Sequence, residues 1–116
     1  MKIIVKEDII HKKYTISTVV VCGNSNGNYI DQSMINELSI LLNNKSKNNS
    51  RTIIILNLKN IDYIEPGFIE LIIKYINKLI LTNVTPRLDE IFIMHKLKAK
   101  LTFYDSVDDA KNSFWC

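Results

Sequence analysis

The feature that most restricts the fold of this chain is the stretch TIIILNL at residues 52–58. Its apolar residues follow one another with little polar alternation until the end, so a strand formed here would be apolar on both faces. Such a strand belongs in the middle of a sheet that helices cover, and sheets of that kind are often parallel. The stretch therefore predicts a layered α/β architecture rather than an all-β or all-α one.

The rest of the chain alternates between strand and helix patterns. The predicted strands cover residues 2–6, 14–22, 52–58, 78–84 and 101–105. The predicted helices cover residues 34–42, 67–77, 86–96 and 107–114. This order, β-β-α-β-α-β-α-β-α, implies right-handed crossovers and a mostly parallel central sheet of four to five strands with about four helices. We expect the first strand to be antiparallel at one edge, and the 116 residues to form a single domain.

Helix starts are visible as capping residues. Asp31 and Ser33 are both plausible N-caps for the first helix, and Thr85 followed by Pro86 is a typical start for the third. After the first helix comes NNKSKNNS at residues 43–50, which we expect to lie outside regular structure because it is uniformly polar.

Composition excludes several classes of protein. No apolar run approaches the ~20 residues that a membrane-spanning helix needs, so we expect no membrane insertion. The net charge of +3 includes 12 acidic residues, which is too balanced to indicate nucleic-acid binding. Acidic residues near the N-terminus argue against a signal peptide, and we expect a cytoplasmic protein. Cys22 and Cys116 lack the spacing of a metal site or a disulfide framework.

The stretch IDYIEPGFIEL, residues 61–71, forms the corner between the most apolar strand and the next helix. Functional groups of parallel sheets gather at such carboxyl ends of strands, yet this corner carries no Ser, Thr, His or Cys. The three glycines of the chain are not grouped into a phosphate-binding loop, and we expect no cofactor. Asp62, Glu65 and Glu70 are not expected to converge. We therefore predict that the protein is not an enzyme.

Three segments resemble the STAS domain family (sulphate transporter and anti-sigma factor antagonist): TIIILNLKNIDYI, TPRLDEIF and LTFYDSVDDA. The family's strand-to-helix corner, with the pattern D-S-S-G-L, falls on residues 65–69, and its early G-x-L-D falls on residues 28–31. The resemblance covers nearly the whole chain and implies a STAS-like α/β fold. It also implies a non-catalytic protein–protein interaction domain similar to bacterial anti-sigma factor antagonists, which act in transcription regulation.

The resemblance also implies a contact surface, and one departure within it. In the antagonists the second Ser of the corner accepts phosphate, but that position falls here on Gly67, so the phospho-switch is expected to be lost. Glu65 keeps a carboxylate in the place of the family's Asp, and Ser33 is the nearest hydroxyl. Phe68 is either an exposed anchor for the partner or a core residue of the short helix. The predicted partner-binding residues are Asp31, Ser33, Glu65, Pro66, Gly67 and Phe68.

Several partners and functions stay open at this stage. The resemblance implies an anti-sigma factor or kinase, a stress-signalling complex or a transporter ATPase as the partner, the last making this chain an accessory subunit of a lipid or anion transporter. Because the helix after the corner is short, an exposed apolar patch could also support a homodimer. A module that binds a nucleotide or lipid at the carboxyl ends of the strands is an alternative of another class. An enzyme using Glu65 as a general base is the last alternative.

Overall fold

The computed structural model describes residues 3–11, 14–21, 29–48 and 52–113 of the chain. The strands in this part are β1 (Ile3–His11), β2 (Tyr14–Val21), β3 (Tyr29–Ile30), β4 (Thr52–Asn57), β5 (Tyr63–Ile64), β6 (Leu79–Thr82) and β7 (Thr102–Tyr104). The helices are α1 (Gln32–Asn48), α2 (Pro66–Lys74), α3 (Pro86–Met94) and α4 (Val107–Asn112). Cys22 and Cys116 lie outside the described residues.

The five main strands form one sheet in the order β1-β2-β4-β6-β7. β1 pairs with β2 in the antiparallel direction at the edge, and every other pair in this sheet is parallel. This confirms the predicted α/β fold and its antiparallel first strand. Since the parallel strands all end on the same side, the turns leading into α2, α3 and α4 gather at one end of the molecule.

Among the residues whose burial is described, the two faces of the sheet carry clusters of different size. Val19, Leu56 and Leu81 point towards α1, α2 and α3 and belong to the larger cluster, together with Phe68 and Phe92 from the helices. On the opposite face, the smaller cluster is lined by Ile16, Ile55, Ile80 and Ala110, the last of these from α4. β4 contributes to both clusters, which explains why residues 52–58 lack polar alternation.

The prediction for residues 43–50 was wrong for residues 43–48, because α1 continues to Asn48, while residues 49 and 50 lie outside the described residues. Leu42 is fully buried, and Asn43 and Asn44 after it are exposed. Polar residues such as these are tolerated on the exposed side of a helix. Polarity here marks an exposed helical surface rather than a loop.

α2 has nine residues, and a tight turn leads from it directly into β6. Lys78 closes this turn by donating its N–H to the carbonyl of Tyr75 at 2.8 Å. The helix is short as predicted, but it ends at Lys74 rather than at residue 77, so the connection to β6 covers residues 75–78. Not all of its apolar residues are covered, since Ile73 is 50% exposed. A homodimer through this surface stays a prediction.

Candidate functional site

Two short strands that the sequence did not reveal build the site. β3 pairs with β5 in parallel, with Tyr29 opposite Tyr63 and Ile30 opposite Ile64. The N–H of Glu65 then donates to the carbonyl of Ile30 at 3.0 Å, which extends the contact into the corner. Strands of two residues are too short for a periodic pattern to predict them. They join the segment before α1 to the segment before α2, and so bring Asp31 and Glu65 to the same end of the molecule.

Glu65 occupies the N-cap position of α2 in an extended conformation (φ −73°, ψ 151°), with Pro66 at the first helical position. Its side chain does not cap the helix. Instead, the hydroxyl of Tyr29 donates a hydrogen bond to Glu65 Oε1. The carboxylate is therefore held in one place at the surface by a residue 36 positions earlier in the chain.

The same contact affects the titration of the phenol. The hydrogen bond to Glu65 raises the pKa of Tyr29 above its ordinary value, and desolvation and the charges of Glu65 and Asp31 act in the same direction. Ionising Tyr29 would remove the proton it donates and would place a second negative charge beside the carboxylate. The pair therefore persists with Tyr29 neutral throughout the physiological pH range.

Gly67 lies against the first turn of α1. A Cβ atom at Gly67 would stand 3.1 Å from Oε1 of Gln32 and 3.6 Å from Cδ1 of Ile35. A side chain at position 67 is therefore restricted by the close approach of Gln32, and not by an unusual backbone conformation of Gly67. The Gln32 amide in turn donates to Oδ1 of Asn36 at 3.0 Å, so the space above Gly67 is filled by a hydrogen-bonded side chain.

The other predicted site residues fall into three positions. Asp31 is the N-cap of α1, because its Oδ1 accepts the N–H of Met34 at 3.0 Å, and it is half-buried. Ser33 is exposed in the first turn of α1 and is not the cap, and Pro66 is exposed at the start of α2. Phe68 is 0% exposed. The expectation of an exposed aromatic anchor was therefore wrong, and the core alternative is what the structure contains.

The exposed aromatic residue near the corner is Tyr63 rather than Phe68. Tyr63 is 44% exposed, and Arg87 at the start of α3 donates to its hydroxyl at 2.7 Å. The guanidinium carbon of Arg87 also lies 5.3 Å from the centre of the Tyr63 ring. Sequence reasoning missed this pair because the two residues are 24 positions apart and the strand that carries Tyr63 was not predicted.

A shallow groove of about 290 Å³ runs between α1 and α2 beside the corner. Gln32 and Gly67 lie at one end of it, and Glu70 and Lys74 line the α2 side. Among the residues that the structure describes, no group of three or more His, Cys, Asp or Glu side chains could hold a metal ion. Within the same ranges, no helix is both long and apolar enough to cross a membrane.

A separate cavity of about 370 Å³ lies at the carboxyl ends of β6 and β7. Asn83, which follows β6 with a φ of 57°, forms part of its wall. Oδ1 of Asn83 is buried and has no hydrogen-bond partner among the described residues. Phe103, Asp105 and Lys98 line other parts of the wall. This is the position at which the sequence placed the alternative ligand pocket.

Comparison with known proteins gives a uniform result at the level of structure. The unphosphorylated form of the anti-sigma factor antagonist SpoIIAA is similar with a TM-score of 0.71 at 12% identity, over 92% of this chain and 93% of that chain. An anti-sigma-factor antagonist (STAS) domain protein from Planctomyces limnophilus has a TM-score of 0.73 at 12% identity, over 98% of both chains. An anti-sigma factor antagonist from Mycobacterium paratuberculosis has a TM-score of 0.67 at 12% identity, over 98% and 95%.

No protein-family profile matches the sequence, and no curated protein matches it. At 12% identity, the structural likeness shows the fold and does not show the roles of individual site residues. The order of strands and helices, the single antiparallel edge strand and the extent of the superposition agree. The chain therefore has the fold of the STAS domains.

Proposed function

We propose that this chain is a non-catalytic protein–protein interaction domain whose contact surface lies at the corner between β5 and α2. This surface, called here the corner surface, comprises Tyr29, Ser33, Tyr63, Glu65, Pro66, Arg87 and the exposed residues of the adjoining groove. The observation that carries the proposal is the use of Glu65, whose carboxylate is fixed by Tyr29 instead of capping its own helix. A charge held rigidly at the surface can orient a partner with little further loss of conformational freedom.

The corner surface has the mixed character of a protein-binding site. It combines a carboxylate at Glu65, an exposed aromatic ring at Tyr63 held by Arg87, and the groove between α1 and α2. Aromatic and Arg side chains are enriched at such interfaces. The hydroxyl that meets the Glu65 carboxylate belongs to Tyr29 and donates its proton to it, so the carboxylate serves here as a hydrogen-bond acceptor. An enzyme with Glu65 as general base is the alternative to this use of the residue. Normal cellular function in a Glu65→Gln variant would count against that alternative.

The proposal includes the loss of a phosphorylation switch at the corner. The position of the family's acceptor serine falls on Gly67, where a Cβ atom would stand 3.1 Å from Gln32 Oε1. Glu65 supplies a carboxylate next to it. The partner would therefore be bound without control by phosphate at this corner, as in a constitutive regulator or a structural subunit.

The partner is proposed to belong to the classes that bind STAS domains elsewhere: an anti-sigma factor or kinase, a stress-signalling assembly, or the ATPase of a lipid or anion transporter. The last would make this chain an accessory transporter subunit. The identity of the neighbouring genes distinguishes these classes, because a kinase or a transporter gene beside this one would select one of them.

Site-specific photo-crosslinking in the source cells tests the corner surface. A photoreactive amino acid at Ser33 or Glu70 is expected to give a discrete adduct with a partner, whereas the same amino acid at Thr102, near the opposite end of the sheet, is expected to give none. Glu65→Arg in the chain labelled at Ser33 should abolish the adduct. Adducts of equal yield from all three positions, or an adduct that survives Glu65→Arg, would contradict the proposal.

The loss of the switch has its own test. Intact-mass measurement of the protein purified from its cells is expected to show no stoichiometric phosphate. Phosphate on Ser33, or on any other residue of the corner surface, would overturn this part of the proposal while leaving the contact surface itself untouched.

A second candidate function, binding of a small ligand, is favoured by the cavity at the ends of β6 and β7. The buried Oδ1 of Asn83 would accept a hydrogen bond from such a ligand, and burial without a partner is otherwise unfavourable. Native mass spectrometry of the freshly purified protein is the test. A retained small molecule that is lost in Asn83→Leu would support this candidate, and bare protein in every preparation would remove it.

A further inference from the structure

The C-terminal end of α3 contains a lysine in a backbone conformation that favours glycine. Lys96 has a φ of 60°. The N–H of Leu97 donates to the carbonyl of Phe92 at 2.9 Å, and the N–H of Lys96 donates to the carbonyl of Ile93 at 3.0 Å. This pair of bonds is the Schellman motif, in which the left-handed position is usually Gly because a Cβ atom is strained there.

The other two non-glycine residues with positive φ are Asn60 and Asn83, in the part of the chain described. Asn is the side chain that tolerates this conformation best after Gly, so these two positions need no special explanation. Lys96 is the exception. A strained residue at an exposed turn is a reason to look for a role that the side chain serves at that place.

The surroundings of Lys96 combine exposed apolar and basic side chains. Met94 is 79% exposed and Ile93 is 54% exposed. Large apolar side chains such as these are more often buried. His95, Lys96 and Lys100 are exposed beside them. We call residues 93–100 the basic tip. The sequence contains no acid between Ile93 and Lys100.

Not every lysine of the basic tip is available to a partner. Lys98 forms an ion pair with Asp89 and lies 4.3 Å from the centre of the Phe103 ring, so it is occupied within the fold. Glu90 is exposed one helical turn before Met94 and reduces the local positive charge. The electrostatic part of any contact therefore rests on Lys96 and Lys100, and the apolar part on Ile93 and Met94.

The topology places the turn that carries the basic tip at the other end of the parallel strands from the corner surface. α3 starts at the carboxyl end of β6 and runs back along the sheet, so the turn between α3 and β7 lies at the amino-terminal end of the parallel strands. Glu65 and Tyr29 lie at the carboxyl ends. A ligand at the basic tip would leave the corner surface open to its own partner.

We propose that the basic tip is a peripheral contact site for a membrane surface that contains anionic lipid. Flexible aliphatic side chains enter the region between headgroups and acyl chains, while neighbouring lysines meet lipid phosphates. A nucleic-acid backbone would use the lysines but would gain nothing from exposed Met94 and Ile93, which is why the lipid surface is favoured. The contact uses two side chains and two charges rather than a spanning or inserted segment, and it is independent of the proposed function of the corner.

Vesicle co-sedimentation of the full chain tests the proposal. Vesicles of phosphatidylcholine mixed with an equal part of phosphatidylglycerol are expected to bind the protein, and vesicles of phosphatidylcholine alone to bind it much more weakly. Replacement of one lysine is expected to lower the partition coefficient about fivefold in Lys96→Gly or Lys100→Gln. Met94→Ser is expected to lower it roughly tenfold, and Glu90→Gln to raise it.

Lys96→Gly separates binding from folding. Gly relieves the strained backbone, so this variant is expected to raise Tm by roughly 3 °C while it weakens binding to the vesicles. The matched controls are Lys59→Gln, at the opposite end of the sheet, and Ile40→Ser, an aliphatic residue of α1 that is 64% exposed. Both controls are expected to bind as the unaltered chain does.

The outcomes are decisive in either direction. Binding to anionic vesicles that falls in the three tip variants and not in the two controls supports the proposal. Absence of binding, equal binding to both lipid mixtures, or equal loss in tip and control variants overturns it. Stronger binding to a DNA duplex than to vesicles, with the same loss in Lys96→Gly and Lys100→Gln but none in Met94→Ser, would also overturn it in favour of nucleic acid.

Discussion

The corner before α2 and the corner before α3 have nearly the same backbone and use their side chains differently. Glu-Pro-Gly-Phe starts α2, and Thr-Pro-Arg-Leu starts α3. Both N-cap residues are extended, with φ and ψ of −73° and 151° at Glu65 and −70° and 158° at Thr85, and both are followed by Pro at the first helical position. The third helical residues, Phe68 and Leu88, are each 0% exposed.

The difference lies in the capping side chain. Thr85 accepts the N–H of Leu88 and donates its hydroxyl to the carbonyl of Ile61 at 2.7 Å, so its polar atoms serve the fold. Glu65 makes no cap and meets the hydroxyl of Tyr29 instead. Identical backbone requirements are therefore met at one corner by a residue that stabilises the helix and at the other by one that presents a charge. Under the proposed function, the first is a structural and the second a functional use of the same turn.

The largest expected effect concerns the buried third residue of each helix, a feature that the two corners share. Phe68→Ala is expected to lower the free energy of unfolding by about 3–5 kcal/mol, and Leu88→Ala by about 2–5 kcal/mol, since each deletion leaves a cavity in the same core. Urea denaturation of both variants measures this. A Phe68→Ala chain with nearly unchanged stability but lost partner binding would restore the anchor role that burial of Phe68 argues against.

The next effect should distinguish the corners. Thr85→Ala is expected to lower the free energy of unfolding by about 1–2 kcal/mol, because it removes a helix cap and leaves the carbonyl of Ile61 without its donor. Glu65→Ala removes no cap and returns the Tyr29 hydroxyl to water, so less than about 1 kcal/mol is expected. Urea denaturation of the Thr85→Ala and Glu65→Ala variants, measured side by side, gives this difference in the free energy of unfolding. A larger loss at Glu65 than at Thr85 would show that the charged corner is structural as well.

The close approach of Gln32 to Gly67 gives a smaller effect. Gly67→Ala is expected to change the free energy of unfolding by less than about 1 kcal/mol, because the gain in helix propensity is offset by the contact with Gln32 Oε1. In a double-mutant cycle, Gln32→Ala should make Gly67→Ala more favourable than it is in the unaltered chain. Strict additivity of the two changes would mean that the two groups do not oppose each other.

The smallest effect is confined to alkaline pH. The folded-state pKa of Tyr29 is raised, so its contribution to stability is present below the ordinary tyrosine pKa of about 10 and is lost as the pH rises through the folded-state value. The stability difference between the unaltered chain and Tyr29→Phe should therefore shrink above about pH 10. Thermal melts across this range measure it, with Glu65→Ala as the control in which the part of the raised pKa of Tyr29 that is due to Glu65 should disappear.

The main sheet could be predicted from sequence because its signals are local. The apolar run of β4, the cap at Thr85 and the β-branched residues of β2 each indicate their structure without knowledge of their neighbours. The end of α1 could not be predicted from sequence, because polar residues such as Asn43 and Asn44 are equally compatible with a loop and with an exposed helix surface.

The candidate site was only partly predictable for the same reason. Glu65, Pro66 and Gly67 stand out as a corner in the sequence, and the structure places them there. The site is completed from distant segments by Tyr29, Gln32 and Arg87. The strands that bring Tyr29 to Glu65 and Tyr63 to Arg87 are β3 and β5, and each has only two residues. Whether Phe68 faces solvent or core depends on how α2 is rotated, and short helices with β-branched residues on several sides leave that rotation open.

The unequal cover of the sheet has a consequence for local opening. α4 has six residues, and Ala110 is its one fully buried residue against Ile16, Ile55 and Ile80. Detaching so short a helix breaks few apolar contacts, so we expect its amide hydrogens to exchange with solvent at a free energy well below that of global unfolding. The amides of β4 and β6 should exchange only with the whole domain. A protease that cleaves near residue 106 would then release this helix while the parallel strands remain folded.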